Sequence, residues 1–303
     1  MPWLRLLRLP TVFTALGNVL CGVFVSQTQR SLPEIVTAPW FWLLLLASSG
    51  LYLGGMVLND VFDAALDARE RPERPIPAGQ ISTRAAAMLG WGLLGSGVLC
   101  AALAGLQSQS GSVPVGLAIL LAAAVVLYDG ALKSTVLGPL GMGVCRGLNI
   151  LLGASCAGDW SLVLSNPQAT IAVALGVYVF GVTWFARHEA GEAPQSILIL
   201  GVVFVMVGLG IDVRAAWASS TPNGRGATLA LALVAVNIAR RSMRAIAANQ
   251  PRLLQKTVGF MLLNIIFIDA AMVFFATGSP QKAACVVILV VPATLMKRFI
   301  PLS

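Results

Sequence analysis

Stretches of roughly 20 apolar residues, joined by connections too short to fold by themselves, dominate this chain. Lipid offers backbone N–H and C=O groups no partners, so runs of this kind fold as helices that bond within themselves. Ten candidate runs lie near 9–28, 38–60, 84–106, 113–129, 136–157, 168–186, 194–213, 226–240, 257–277 and 281–296. The one at 226–240 is short for a span. Only 11% of the 303 residues are charged, against about 25% in a typical soluble domain. The expected fold is all-α: one polytopic transmembrane domain covering 1–303. The first run lacks a small-residue cleavage site and reads as a first span rather than a signal peptide.

The net charge of +8 fits basic loops beside anionic lipid better than nucleic-acid binding. With the N-terminus in the cytoplasm, Lys and Arg gather in the cytoplasmic connections. Only Arg30, Arg214, Arg225 and Lys282 fall outside, and Arg146 lies within a span. The expected location is a multi-pass integral membrane protein, in the cytoplasmic membrane if the chain is bacterial. Its lipid partner is the bilayer, and no nucleic-acid partner is expected. The cysteines (Cys21, Cys100, Cys145, Cys156, Cys285) sit in apolar runs without a CxxC pair and read as buried small hydrophobes.

The second run ends in Asn59, Asp60, Asp63 and Asp67, followed by Arg69, Arg71 and Arg74. Charges near hydrocarbon are expensive, so such residues usually carry function. On a helix Asp60, Asp63 and Asp67 share one face and repel each other unless a cation sits among them. Oxygen ligands of this kind suit Mg²⁺, which usually completes its shell with substrate phosphates. The arginines suit phosphate oxygens. The pattern therefore reads as a Mg²⁺–diphosphate site at a membrane surface.

Two other run ends on the same side carry polar groups, Tyr128-Asp129 with Lys133 and Arg187-His188-Glu189 with Glu192. Clusters after runs two and six suggest an internal duplication, with two halves facing a central cavity. Arg146 and Asn149 share a face of the fifth run. They read either as ligands for diphosphate or an acceptor carboxylate, or as interhelical contacts. Asp269, alone in an apolar run, reads as structural or functional.

The segment NDVFDAALD followed by RPERPIPAG resembles the UbiA-type intramembrane prenyltransferases. It matches their N-D-x-x-D-x-x-x-D motif at Asn59, Asp60, Asp63 and Asp67 and their Arg/Pro segment at Arg74, Pro75, Pro77 and Gly79. Tyr128 and Lys133 are similar to the family's Tyr…Lys pair. The resemblance implies nine to ten transmembrane helices around a central cavity that opens to the cytoplasmic side. It implies that Asn59, Asp60, Asp63 and Asp67 hold Mg²⁺ and a prenyl diphosphate. Arg74 and Lys133 would contact the phosphates, and Tyr128 would lie near the allylic end. The family's second motif, D-x-x-x-D, is replaced here by Arg187, Glu189 and Glu192. Arg187 would then offset diphosphate charge in place of a second metal ion.

The expected activity is transfer of a prenyl group from its diphosphate to an aromatic acceptor, with Asp60, Asp63, Asp67, Lys133 and Tyr128 at the reacting end. Arg71, Arg146 and Asn149 would bind substrate, and Asp129 is a candidate base. The alternative is a non-catalytic prenyl-lipid binder or transporter on the same scaffold. The hydropathy excludes a soluble prenyl synthase, and Asp129-Gly130 does not complete the motif of a CDP-alcohol phosphotransferase.

Overall fold

The computed structural model describes residues 2–187 and 194–299. Every regular element among them is helical. Nine of these helices are long: α1 (Val12–Ser26), α2 (Pro39–Phe62), α3 (Thr83–Ser108), α4 (Val113–Leu127), α5 (Gly138–Ala154), α6 (Gln168–Ala186), α7 (Gln195–Ala218), α8 (Pro222–Ala248) and α9 (Pro251–Thr277). Proline opens α2, α8 and α9 at their first position, where its missing N–H costs nothing and its φ is already helical. Ser82 caps α3 by accepting from the Ala85 N–H, and Asn249 and Gly278 end α8 and α9 in the left-handed conformation.

The ten expected runs therefore become nine long helices and a broken C-terminal pair, Pro280–Val287 and Val290–Phe299. The short run at 226–240 is the middle of the 27-residue α8. Its polar ends, including Arg225, Arg240, Arg241 and Arg244, are helical as well, which hydropathy does not register. Eight helices among the described residues are long and apolar enough to cross a membrane, and α8 is not among them because of those ends.

Each long helix packs against its neighbours in sequence, and α9 returns to α1 to close the ring. α1 also packs across the ring on α5. Glycine permits that approach: a methyl group at Gly22 would collide with the carbonyl oxygen of Ile150, and one at Gly153 with that of Val19. The contact brings Thr14, Ala15 and Asn18 of α1 against Arg146 and Asn149 of α5. On the outside, α3 and α4 expose Leu99, Leu103, Leu106, Ile119 and Leu120, apolar surface that suits lipid.

Candidate functional site

The α2 helix bends at Asp63 (φ −86°, ψ −1°) and continues as a short helix, Ala64–Glu70. The bend divides the acidic face. Asp60 and Asp67, both buried, turn toward Arg74, whose Nη1 lies 2.6 Å from Asp67 Oδ2 and 3.5 Å from Asp60 Oδ1. Arg8 Nη2 reaches Asp60 Oδ1 at 2.6 Å. Asp63 turns instead to Lys133, with Nζ 2.5 Å from Oδ1. The repulsion expected among three carboxylates on one face is thus relieved by three protein cations, each drawn from a different segment. The Arg-Pro stretch is what delivers Arg74: the Ala78 N–H donates to the Arg74 carbonyl, and Gln80 and Ile81 donate to that of Pro75. That loop turns at Gly79, whose φ of +70° favours glycine.

The next part of the site depends on a π-helical turn, Tyr128–Leu132, at the end of α4. Its wider winding places Lys133 nearly above Tyr128, where the Lys133 N–H donates to the Tyr128 carbonyl at 2.9 Å. One short turn therefore aims Lys133 at Asp63 and Tyr128 into the interior. Asn59 Nδ2 donates to Asp129 Oδ1 at 3.1 Å and ties α2 to this turn.

Behind the ion pairs lies a cavity of about 250 Å³ between α2, α4 and α5. Arg8, Asn59, Tyr128 and Asp129 line one end, and Ser48, Tyr52, Arg146 and Asn149 line the other. Ser48 to Asn59 is eleven residues of helix, so the cavity runs roughly 16 Å along α2. Its middle is apolar, with Leu51, Met56, Leu121, Val125 and Met142. At the far end Arg146 donates to Asn18 Oδ1 and Thr14 Oγ1, both at 3.1 Å, and its guanidinium lies 5.1 Å from the centre of the Tyr52 ring. Asn149 accepts from Ser48 and donates to the Ala15 carbonyl. The arrangement is an amphipathic slot with a cation-rich mouth and a second cation at its base.

The structure brings Asn59, Asp60, Asp63, Asp67, Arg74, Tyr128 and Lys133 together at the mouth, and Arg146 and Asn149 at the base. It does not bring Arg71 there, which is exposed beyond the bend. Arg187 does reach the turn that carries Lys133. Its Nη2 donates to the carbonyl oxygens of Lys133 (2.6 Å) and Thr135, so it braces the strand of chain that carries Lys133. Glu189 and Glu192, with His188, lie outside the described residues. Sequence reasoning missed Arg8, one basic residue among many near the run ends, and Ser48 and Tyr52, which lie unmarked in an apolar run. Arg8 adopts the left-handed conformation (φ 45°, ψ 44°), uncommon for a residue with a side chain. That conformation directs the chain over the mouth of the cavity.

Among the described residues no three His, Cys, Asp or Glu side chains gather as a metal cage. Mg²⁺ does not need one, because it is usually held by one or two carboxylates together with substrate phosphates and water. The hard oxygens of Asn59, Asp60, Asp63 and Asp67 fit that role.

A multi-pass helical membrane bundle with paired carboxylates and cations at the mouth of an apolar cavity is the class these features define. The sequence profile of the UbiA prenyltransferase family matches residues 15–266, and this chain belongs to that family. It is similar to digeranylgeranylglyceryl phosphate synthase of Metallosphaera sedula, with 31% identity over 52% of this chain and 53% of the relative. The relative of the same name from Ignicoccus hospitalis is 28% identical over 67% of this chain and 66% of its own length. The chain thus matches about half to two thirds of the length of these curated relatives. A solved UbiA homologue from Aeropyrum pernix shares the fold, with a TM-score of 0.70 at 20% identity over 86% of this chain and 96% of the other. A structure described as concerning digeranylgeranylglyceryl phosphate synthase in membranes gives a TM-score of 0.66 at 16% identity, over 92% and 98%.

Proposed function

We propose that this protein transfers a prenyl group from a prenyl diphosphate to an acceptor held in the cavity. The observation that carries this reading is the set of three carboxylate–cation pairs at the cavity mouth, Asp60 with Arg8, Asp67 with Arg74 and Asp63 with Lys133. The carboxylates of these pairs would suit Mg²⁺, and their cations would suit the phosphate oxygens of a diphosphate.

Asn59, Asp60, Asp63 and Asp67 are the residues that would hold Mg²⁺, which when bound supplies positive charge to the leaving diphosphate. Arg74, Lys133 and Arg8 grip the phosphate oxygens and stabilise charge as it grows there. The bond between C1 of the prenyl group and the diphosphate oxygen breaks, and its electron pair leaves with diphosphate. The aromatic ring of Tyr128 faces the cavity and offers its π electrons to the allylic cation. The acceptor atom bonds to C1, and its proton passes to Asp129, oriented by Asn59. Leu51, Met56, Leu121, Val125 and Met142 keep water from the cation. At about 250 Å³ the cavity is smaller than the roughly 300–1,000 Å³ usual for whole ligands. It encloses the reacting ends and leaves the prenyl tail to lipid.

Nothing in the comparisons supports the aromatic acceptor expected from the sequence. The product named for the relatives is a glyceryl phosphate bearing two geranylgeranyl groups. By that likeness the acceptor here is an anionic alcohol, with its phosphate on Arg146 and its hydroxyl toward Asp129. The N-terminus and the cavity mouth face the cytoplasm, on the side where the basic residues gather. The test offers purified protein in lipid a labelled geranylgeranyl diphosphate with Mg²⁺ and either a prenylated glyceryl phosphate or hydroxybenzoate. A product from the phosphate alcohol alone supports the reading. Product from hydroxybenzoate alone rejects this acceptor, and none from either rejects the activity.

A further inference from the structure

The α9 helix carries Asp269, 1% exposed and more than 250 residues from its nearest partner in sequence. Its Oδ2 accepts from Asn18 Nδ2 at 2.7 Å. The same amide presents Oδ1 to Arg146 Nη1 at 3.1 Å. Asn18 is completely buried, so no water can substitute for either bond. An amide has one accepting and one donating end. With its NH₂ fixed on a carboxylate, its oxygen must face the guanidinium. Without that carboxylate, the amide can flip and set donors against donors. Thr14 holds the other Nη, and its hydroxyl is in turn fixed on the Thr11 carbonyl at 2.8 Å. The Tyr52 ring covers the guanidinium face.

We infer that Asp269 is a positioning residue for the acceptor site, acting through the Asn18 amide to fix the Arg146 guanidinium at the base of the cavity. It touches no substrate, lying behind α1 and outside the cavity lining. Its Oδ2 thereby decides which end of the Asn18 amide Arg146 meets. Arg146 is thereby kept against α1, with its remaining surface toward the acceptor. The catalytic part of this inference rests on the proposed acceptor site, whereas the geometry of Arg146 does not.

The test compares Asp269→Asn, Asn18→Ala and the double variant in lipid, with two readouts. The first is the rate at which phenylglyoxal modifies Arg146, followed by mass spectrometry. The second is KM for each substrate. Both single variants are expected to raise Arg146 modification several-fold and the acceptor KM about tenfold, the scale of one buried charge-assisted hydrogen bond. KM for the prenyl diphosphate stays within twofold. The double variant is no worse than Asn18→Ala alone, because Asp269 acts through that amide. Unchanged Arg146 modification in both single variants overturns the inference, as does additive loss in the double variant. Equal rises in both KM values overturn it too, since they mark a general loss of structure. If the wild-type protein transfers no prenyl group, the functional reading fails, while the modification rates still decide the positioning role.

Discussion

Replacing Arg74 by methionine tests the ion-pair mouth most sharply. Arg74 is 4% exposed and bridges Asp67 (2.6 Å, 4% exposed) and Asp60 (3.5 Å, 5% exposed). Removing one member of a buried pair leaves a stranded charge, at a cost of about 3–5 kcal/mol. Asp60 keeps Arg8, so the stranded group is Asp67, and the expected loss is near the lower bound, about 3 kcal/mol. Asp67→Asn added to Arg74→Met removes that charge and is expected to restore at least about 1.5 kcal/mol, roughly tenfold in the folding equilibrium. The assay is a double-mutant cycle of equilibrium unfolding in mixed micelles, followed by tryptophan fluorescence. Strictly additive losses, or an Arg74→Met variant as stable as wild type, would refute the assignment of Arg74 as the buried counter-charge of Asp67.

Lys133→Met removes a phosphate contact and leaves Asp63, which is partly exposed, to water. It is expected to raise KM for prenyl diphosphate at least tenfold with little loss of stability. An unchanged KM in steady-state kinetics would exclude Lys133 from diphosphate binding. Gly153→Leu would drive a side chain into the Val19 carbonyl and is expected to separate α1 from α5. It should abolish acceptor binding before diphosphate binding, and equal retention of both in calorimetry would count against that contact. At the distant end of the fold, Ser31 donates its N–H (2.6 Å) and hydroxyl (2.9 Å) to Glu34, which holds that carboxyl below its ordinary value. The folded value is the lower one, so this capping is complete above the ordinary Glu range and fades as pH falls through the depressed value. Hydrogen exchange across Leu32–Val36, corrected for intrinsic rate, should quicken in acid, and a pH-independent corrected rate would contradict the capping box.

The spans were legible because lipid leaves an apolar run of that length one solution. The mouth was legible because Asn59, Asp60, Asp63, Asp67 and Arg74 lie within sixteen residues of each other. Their pairing was not. A face shared by three aspartates says nothing of the bend at Asp63, and nothing local signals that Lys133 or Arg8 will arrive beside them. The π turn at Tyr128 was hidden because its residues continue an ordinary helical pattern. Asn18, Arg146 and Asp269 come from three helices and meet only in the packed bundle. A lone Asp in an apolar run announces that a partner exists without naming it. For Arg187 the charge was visible, but not the Lys133 and Thr135 carbonyls that it bonds. The polar ends of α8 concealed a full helix from hydropathy.

The most direct test of the central claim measures inorganic diphosphate release and prenylated product together, in lipid with Mg²⁺, for wild type and Asp63→Asn. The account predicts equal amounts of diphosphate and product from wild type, and at least a hundredfold less of both from a folded variant, on the scale of one lost electrostatic contact to the leaving group. Wild-type protein that binds prenyl diphosphate saturably and releases neither, or a variant as active as wild type, would contradict it.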